Sequence, residues 1–268
     1  MSAEGNRENK TALITGASSG IGLEYAKCLA AQKYNLVIVS IEEQLIKEVG
    51  TQLEQQYGIL TYPICTDLAD SNAASLLFNF CKENNLIIDI LISNAGFFFF
   101  DEIDKTNDKK VQNLIKLQVE TPTMLCKLFG SEMKRRQYGY ILITSSLAAW
   151  LPYPGLIIYS ATKRYLKDFA KALHYEMIDY NVGVTAVCPG AINTPLYNLS
   201  DRYRKIALNT GIMMNPDKLA KKAIKAMFKK RVRIIPGTLY KIILPLLIIM
   251  PMCIIQCIKR KTKILIKK

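Results

Sequence analysis

Three side chains in the middle of the sequence have the types and the spacing needed to move a proton to or from an alcohol. Tyr159 and Lys163 are four residues apart, and Ser146 lies thirteen residues before the tyrosine. On a helix, the i,i+4 spacing puts the phenol and the ammonium on one face, one turn apart. A nearby cation favours phenolate, so we expect Lys163 to lower the pKa of Tyr159 from its ordinary value of about 10. Such a tyrosine can exchange a proton with an alcohol while a hydride moves to or from a nicotinamide.

A glycine-rich segment near the start of the chain supports that chemistry. The spacing of Tyr159 and Lys163 alone is also typical of an ordinary helix surface, so a second feature has to decide between that interpretation and a catalytic pair. Residues 15–22 read Thr-Gly-Ala-Ser-Ser-Gly-Ile-Gly and follow a short apolar run. Between a strand and a helix, such glycines allow a tight turn and bring a pyrophosphate close to the helix N-terminus. Ser146 ends a β-like run, where its hydroxyl could hold the substrate oxygen.

The elements that must position these residues alternate between strand and helix. Strands are predicted at 10–15, 36–39, 59–65, 86–92, 140–144 and 182–188, and helices at 21–31, 44–56, 69–84, 107–136 and 158–180. The strands are continuous apolar runs, which favours a parallel sheet covered on both faces. Right-handed crossovers then give an α/β, Rossmann-like doubly wound sheet, with the ligand at the carboxyl ends of the strands. Pro122 is expected to kink the helix that contains it.

Composition limits the number of domains, the kinds of metal site and the cellular compartment that fit this chain. The chain of 268 residues fits one domain, placed at 1–237, followed by a hydrophobic and basic extension at 238–268. Its seven cysteines form no C-x-x-C pair and its single histidine, His174, excludes a histidine-rich metal site, so no metal is expected. The scattered cysteines and a polar start without an apolar signal stretch indicate a cytoplasmic protein.

The net charge of +14 is concentrated in the last quarter of the chain. Residues 1–200 carry 18 Lys/Arg against 20 Asp/Glu, a balance of −2. Residues 201–268 carry 18 against 2, a balance of +16. These basic residues flank an apolar segment and have no stacking aromatics among them, so nucleic acid is not expected as a partner. An anionic membrane surface explains the pattern better.

These motifs resemble the short-chain dehydrogenase/reductase family, from about residue 10 to residue 237. The glycine turn matches the cofactor motif of that family, and Ser146, Tyr159 and Lys163 match its catalytic serine, tyrosine and lysine. The resemblance implies that NAD or NADP is the cofactor and that Tyr159 and Lys163 also contact it. Its other implied contacts are Gly16, Ser18, Ser19, Gly20, Ile21, Gly22, Ser40, Asp67, Leu68, Asn94, Ala95, Gly96, Pro189, Gly190, Ile192 and Thr194.

Two positions depart from the family pattern. The family usually has a catalytic asparagine 28 residues before the serine, in a proton relay through water, and this chain has Gln118 there. Glutamine keeps the amide but is one methylene longer, so it either positions the same water or shifts it. Members that prefer NAD have an acid at the end of the second strand, where this chain has Ser40 followed by Ile41. The missing acid favours NADP weakly.

The regions beside the expected cleft are apolar. Residues 97–100 are four phenylalanines that follow the Asn-Ala-Gly turn, where they either wall an apolar cleft or pack in the core. Residues 195–215 fall where the family carries its substrate lid. Its lining is expected to come from Tyr197, Tyr203, Met213 and Met214. Ile242–Ile258 is uncharged but is interrupted by prolines. That run either lies in one leaflet of a membrane, spans it, or packs on the cleft or on a subunit interface.

The sequence as a whole predicts an NAD(P)-dependent oxidoreductase that interconverts a carbonyl and an alcohol. A membrane location and a phenylalanine-walled cleft suit a lipophilic substrate such as a long-chain acyl derivative, a sterol-like ketone or a fatty aldehyde. A homo-oligomer is an open alternative to a monomer. The rival interpretation is a weakly active or inactive nucleotide-binding scaffold or redox sensor that keeps the fold, and Gln118 is the residue that supports it.

Overall fold

The computed structural model describes residues 10–151, 153–194, 201–237, 239–240, 244–245, 249, 254 and 256, with the backbone alone for residues 201–203. Tyr197 of the expected lid, most of the Ile242–Ile258 run and the basic residues from Lys259 onward lie outside the described residues. Within the described part of the chain, no helix is long and apolar enough to cross a membrane.

Seven parallel strands form one sheet, which confirms the predicted doubly wound α/β fold. The strands are β1 (Thr11–Thr15), β2 (Asn35–Ser40), β3 (Thr61–Cys65), β4 (Ile88–Ser93), β5 (Gly139–Thr144), β6 (Val182–Val187) and β9 (Arg233–Ile234). Their order across the sheet is β3-β2-β1-β4-β5-β6-β9. Two short strands, β7 (Ala191–Ile192) and β8 (Met213–Met214), pair with each other in parallel. The strand order reverses between β1 and β4, where folds of this kind bind their ligand.

Helices connect the strands at the predicted places, and two helices were not predicted. The helices are α1 (Gly20–Ala30), α2 (Glu43–Tyr57), α3 (Ala73–Glu83), α4 (Asp108–Ile115), α5 (Thr121–Arg136), α6 (Ile157–Met177), α7 (Asp201–Asn209) and α8 (Pro216–Phe228). Of these, α7 falls in the segment expected to form a lid, and α8 leads into the last strand of the sheet.

Apolar clusters on both faces of the sheet explain why its strands are continuous apolar runs. Ile14 and Ile38 belong to the cluster that packs against α1, α2 and α8. Leu13 and Val37, their neighbours along the chain, belong to the cluster that packs against α3, α5 and α6. Because successive side chains of a strand point to opposite faces, a strand covered on both sides has no polar position.

The long helix predicted at 107–136 is interrupted by a π-helical turn at Lys116–Glu120, between α4 and α5. Pro122 lies just after this turn. Its nitrogen carries no hydrogen, so it cannot donate a hydrogen bond to the carbonyl of Gln118, four residues earlier. A π turn shifts the hydrogen-bond pattern by one residue, which accommodates the missing donor. The expected disturbance by Pro122 therefore takes the form of a π turn, and it places Gln118 in a buried position.

Candidate active site

A cavity of about 640 Å³ lies at the carboxyl ends of the strands, and all but one of the predicted site residues line it. The predicted residues in its wall are Gly16, Ser18, Ser19, Gly20, Ile21, Ser40, Asp67, Leu68, Asn94, Ala95, Gly96, Gln118, Ser146, Tyr159, Lys163, Pro189, Gly190, Ile192 and Thr194. Residues that were not assigned to the site also line it, namely Ile41, Glu42, Thr66, Ala69, Phe97, Asn113, Leu117, Thr144 and Ser145.

The glycine turn is held in a conformation that needs its glycines. Gly16 has a φ of +68°, and a Cβ there would approach the backbone of Ala95 to 2.9 Å. Gly22, the one predicted residue outside the cavity wall, lies behind the turn, where a Cβ would overlap the carbonyl oxygen of Gly16. Gly22 thus lets α1 start directly against the turn, and the cavity then meets the N-terminus of that helix.

Asn94 fixes the turn from the neighbouring strand. Its backbone N–H donates to the hydroxyl of Thr15 at 2.9 Å, and its side-chain amide donates to the carbonyls of Thr15 and Gly16 at 3.3 and 3.4 Å. The first N–H groups of a helix have no partner within it and favour an anion. The residues at the start of α1, Ser19, Gly20 and Ile21, line the cavity, so its chemistry fits a pyrophosphate.

One end of the cavity, which we call the adenosine end, is closed by a hydrogen-bonded chain of Ser40, Ser18 and Glu42. Ser40 Oγ donates to Ser18 Oγ at 2.9 Å, and Ser18 Oγ donates to a carboxylate oxygen of Glu42 at 2.9 Å. The sequence placed Glu42 at the start of the next helix, and it is indeed the residue before α2. Its carboxylate also lines the cavity, which the spacing of the second strand did not reveal.

Asp67 and Leu68 complete the adenosine end after β3. One carboxylate oxygen of Asp67 accepts from the backbone N–H of Ala69 at 2.8 Å. The carbonyl of Leu68 accepts from the hydroxyl of Thr121 on α5 at 2.7 Å. Both residues are therefore held by hydrogen bonds where they line the cavity.

The opposite end of the cavity, which we call the reaction end, contains Ser146, Tyr159 and Lys163. Ser146 follows β5, and its hydroxyl accepts from the backbone N–H of Ala148 at 3.1 Å. Ser145, its neighbour, donates to the backbone carbonyl of Lys163 at 2.7 Å and so joins the end of β5 to α6. Tyr159 and Lys163 lie on α6 as predicted, with the ammonium nitrogen 5.6 Å from the centre of the phenol ring.

Burial makes Lys163 an unusual lysine. Its side chain is 4% exposed, and its ammonium donates to the backbone carbonyl of Thr144 at 3.0 Å. Because burial penalises the charged form, the pKa of Lys163 falls from its ordinary value of 10.5 to about 8. Lys163 therefore remains largely protonated at neutral pH and loses its charge just above it.

Gln118 ties the reaction end together from within the protein. Its amide nitrogen donates to the carbonyl of Phe97 at 2.6 Å, and its amide oxygen accepts from the hydroxyl of Thr162 at 2.8 Å. The side chain is fully buried and packs against Gly96, where a Cβ would approach its amide nitrogen to 2.8 Å. Gln118 thus connects the Asn-Ala-Gly turn to the residue that precedes Lys163 on α6.

The phenylalanine run forms an apolar wall beside Tyr159. The rings of Phe98 and Tyr159 are 5.7 Å apart, and those of Phe100 and Tyr153 are 6.1 Å apart. Phe97 lines the cavity itself. The wall interpretation of this run therefore agrees with the structure better than core packing, since Phe100 is exposed.

His174 serves the fold at a distance from the cavity. It is buried on α6, and its Nδ1 lies 2.8 Å from the carbonyl oxygen of Val184 on β6. The five described cysteines are free, and burial raises the pKa of Cys81, Cys126 and Cys188. Buried thiols with raised pKa values are inert, which agrees with their interpretation as core residues.

Comparison with known proteins gives one consistent match. Residues 10–204 match the short chain dehydrogenase family. The chain is 32% identical over 191 residues to an uncharacterized oxidoreductase, YmfI, of Bacillus subtilis, covering 71% of this chain and 78% of that protein. It is 30% identical over 197 residues to the very-long-chain 3-oxoacyl-CoA reductase of Anas platyrhynchos, covering 70% of this chain and 62% of that protein.

The same fold occurs among solved structures. The short-chain dehydrogenase from Sphingobium yanoikuyae in complex with NADPH superimposes with a TM-score of 0.76 at 26% identity, covering 85% of this chain and 87% of that one. The agreement therefore extends over most of both chains.

Proposed function

The chain belongs to the short-chain dehydrogenase family, a family of oxidoreductases, and we propose that it interconverts a carbonyl and an alcohol on a lipophilic substrate with NADP(H). One observation carries this proposal. The side chains of Ser146, Tyr159 and Lys163 line the same cavity as the glycine turn and the N-terminus of α1. A substrate bound at the reaction end would then lie beside a dinucleotide whose pyrophosphate rests on that helix.

Each residue of the reaction end has a role in the proposed reaction. The bound dinucleotide supplies or accepts the hydride. Ser146 holds the substrate oxygen through its hydroxyl, and Tyr159 gives that oxygen its proton in reduction or takes it in oxidation. Lys163 contributes the positive charge that favours the phenolate of Tyr159 and would bind the nicotinamide ribose. Its burial strengthens that electrostatic effect, because the cavity wall excludes water from the ammonium.

The adenosine end supports a weak preference for NADP(H). The second strand ends at Ser40 and is followed by Ile41, without the acid that binds both ribose hydroxyls in members that use NAD. The Sphingobium neighbour is a complex with NADPH, which supports the same choice. Glu42 opposes it, because a carboxylate in this wall repels a 2′-phosphate. We therefore expect NADP(H) to bind less than tenfold more tightly than NAD(H), a difference below about 1.4 kcal/mol.

The proposed lipophilic substrate rests on the wall beside Tyr159. Phe97 and Phe98 place aromatic surface at the reaction end, where an apolar chain or ring system would be buried. The relative from Anas platyrhynchos is named for a very-long-chain 3-oxoacyl-CoA substrate, which agrees in chemical class. A long-chain acyl derivative is therefore the first substrate class to test.

Gln118 supports a second candidate function, a nucleotide-binding scaffold with little turnover. Its amide bonds to Phe97 and Thr162, so the amide that holds a relay water in the family here also holds the cavity wall. Turnover separates the two candidates. The purified protein should oxidise NADPH in the presence of ketones or aldehydes, faster with long apolar chains than with short ones. Tight dinucleotide binding without turnover on any carbonyl would favour the scaffold.

We also propose that residues 238–268 bring the 1–237 domain to an anionic membrane surface from the cytoplasm. The proposal rests on the balance of +16 in residues 201–268, of which seven positive charges lie in 238–268 without any acid, and on apolar residues of the tail that face solvent. Ile249 and Ile254 are 73% and 46% exposed. Apolar burial and the attraction of lysine to anionic lipid would act on the same segment, with roughly 1 kcal/mol for each basic residue near the surface.

Liposome sedimentation tests this proposal. The full chain should sediment with anionic vesicles, and replacing Lys259, Arg260 and Lys261 by glutamine should release most of it. The matched control replaces three exposed lysines of α8, Lys218, Lys221 and Lys222, and should sediment like the unmodified chain. A full chain that ignores anionic vesicles at low salt leaves the packed tail as the better interpretation.

A further inference from the structure

Tyr240 of the C-terminal segment packs against the backbone of the cavity wall. Its hydroxyl accepts a hydrogen bond from the backbone N–H of Ala191 at 3.1 Å and donates one to the backbone carbonyl of Ile212. Burial raises the pKa of this phenol, although the N–H of Ala191 acts in the opposite direction. The hydroxyl is thus part of the folded structure as a neutral donor and acceptor.

The two backbone groups that Tyr240 contacts lie where the two strands of the small β7–β8 sheet begin. Ala191 pairs with Met213 in that sheet, and Ile212 immediately precedes Met213. Only one side chain, that of Tyr240, contacts both groups among the hydrogen bonds of the described residues. The hydroxyl therefore fixes the relative position of the two strands at the place where β7 begins.

The ring of Tyr240 also explains a glycine of the cavity wall. A Cβ built on Gly190 would overlap the ring carbons and the hydroxyl of Tyr240. Gly190 lines the cavity, as do Pro189 before it and Ile192 after it. The absence of a side chain at Gly190 lets the ring press directly on the backbone of this wall.

We propose that Tyr240 is a positioning residue for the dinucleotide, holding Gly190 in the cavity wall, through its ring and through the N–H of the adjacent Ala191, from outside the first 200 residues. Every predicted cofactor contact lies at or before Thr194, so the sequence gives no sign that the affinity for cofactor depends on the C-terminal segment. This inference rests on the proposed binding of a nicotinamide dinucleotide in the cavity. It makes the C-terminal segment a part of the cofactor site.

The first test removes only the hydroxyl of Tyr240. In the full chain, Tyr240→Phe should weaken NADPH binding about fivefold in a fluorescence titration, because the hydroxyl that joins the backbone groups of Ala191 and Ile212 is lost. The turnover at saturating NADPH should stay within about twofold, and the Tm within about 4 °C of the unmodified protein. The matched control is Tyr175→Phe on α6, whose side chain is 60% exposed, and it should leave the affinity unchanged.

The outcomes separate this inference from the proposed function. If the unmodified chain binds no dinucleotide, the proposed function fails and this inference fails with it. If the unmodified chain binds NADPH and Tyr240→Phe binds it equally well, the inference alone is wrong. An equal loss in Tyr175→Phe would also overturn it, because the effect would not be specific to the cavity wall.

A double substitution tests the contact of the ring with Gly190. Gly190→Ala should weaken NADPH binding at least tenfold, because the new methyl group displaces either the ring or the wall. Adding Tyr240→Ala removes the obstacle, so the double variant should bind NADPH as tightly as Tyr240→Ala alone. A double variant that stays as weak as Gly190→Ala would show that the glycine serves only the cofactor, which would overturn the proposed contact.

Discussion

The two ends of the cavity are built in different ways. At the reaction end, Ser146, Tyr159 and Lys163 come from one stretch of 18 residues, the end of β5 and the first turns of α6. At the adenosine end, Ser18 and Glu42 come from separate loops and meet through a hydrogen bond of 2.9 Å. The reaction end keeps the family's serine, tyrosine and lysine and departs from the family only at Gln118, whereas the adenosine end replaces the expected acid by a carboxylate two residues further on.

This difference shows which parts of a site follow from spacing. Residues on one helix and the strand before it keep their relative places whenever those elements form. Residues on separate loops meet only when the loops adopt particular conformations, which depend on the rest of the fold. We therefore expect substitutions at the reaction end to change the chemical step, and substitutions at the adenosine end to change only the choice of cofactor.

The largest effect is expected for Tyr159→Phe. It removes the proton donor and keeps the ring beside Phe98, so carbonyl reduction should fall by about 10²–10⁴-fold. NADPH binding should stay within a few fold, because the adenosine end is untouched. Steady-state rates and a fluorescence titration measure the two quantities separately. Turnover at the unmodified rate would show that Tyr159 is not the acid.

Lys163→Met should lower the activity and raise the stability of the protein. Loss of the positive charge should lower kcat/KM by at least about 10²-fold, since Tyr159 loses the cation that favours its phenolate. The folded protein also loses a buried charge. The fall of the pKa from 10.5 to about 8 corresponds to a desolvation cost of about 3 kcal/mol. The carbonyl of Thr144 loses its donor at a cost of about 1–2 kcal/mol, so the free energy of unfolding at pH 7 should rise by about 1–2 kcal/mol.

The pH dependence of stability gives an independent check on Lys163. Between about pH 8 and 10.5 the unfolded chain keeps the lysine proton and the folded chain loses it. The unfolded state then binds more protons, so this group makes stability rise with pH across that window, and its full penalty is present below pH 8. The buried thiols of Cys81, Cys126 and Cys188 lower stability in part of the same window in both proteins, so the difference between the proteins is the quantity to measure. Urea unfolding at several pH values should show that the stability advantage of Lys163→Met over the unmodified protein shrinks between about pH 8 and 10.5. An advantage that stays constant with pH would contradict the assignment.

Much of the fold could be predicted because its signals are local. The run from Leu36 to Val39 is apolar at every position, which is typical of a strand covered on both faces. The sequence did not reveal β9, since Arg233–Ile234 is two residues long and gains its place only by pairing with β6. Glu42 was missed for a similar reason, because its place in the cavity depends on Ser18, 24 residues earlier along the chain.

A smaller effect is expected at the adenosine end, from Glu42→Gln. Removing the carboxylate should tighten NADPH binding about threefold to fivefold and leave NADH within twofold, because only the 2′-phosphate is repelled. The gain should shrink at high salt, since Glu42 is exposed. The control is Glu43→Gln, whose carboxylate pairs with Lys47 at 2.6 Å instead of lining the cavity. Ser40→Asp should act in the opposite direction and favour NADH.

Calorimetry with both dinucleotides decides the matter. A tighter complex with NADH than with NADPH in the unmodified protein would overturn the proposed preference. Equal effects of Glu42→Gln and Glu43→Gln would show that the general charge of the surface, and not the cavity wall, sets the affinity.

The smallest change in rate is expected for Gln118→Asn, which places the family's residue in a site built around a longer one. Asparagine is one methylene too short to reach both the carbonyl of Phe97 and the hydroxyl of Thr162, so one hydrogen bond should be lost. The Tm should fall by about 2–4 °C, as expected for about 1 kcal/mol in a chain of this size. The turnover should stay within about threefold or rise, because the shorter amide returns space for a relay water. A fall in kcat beyond tenfold would show that the reaction end has adapted to glutamine, and equal inactivity of both forms would favour the scaffold.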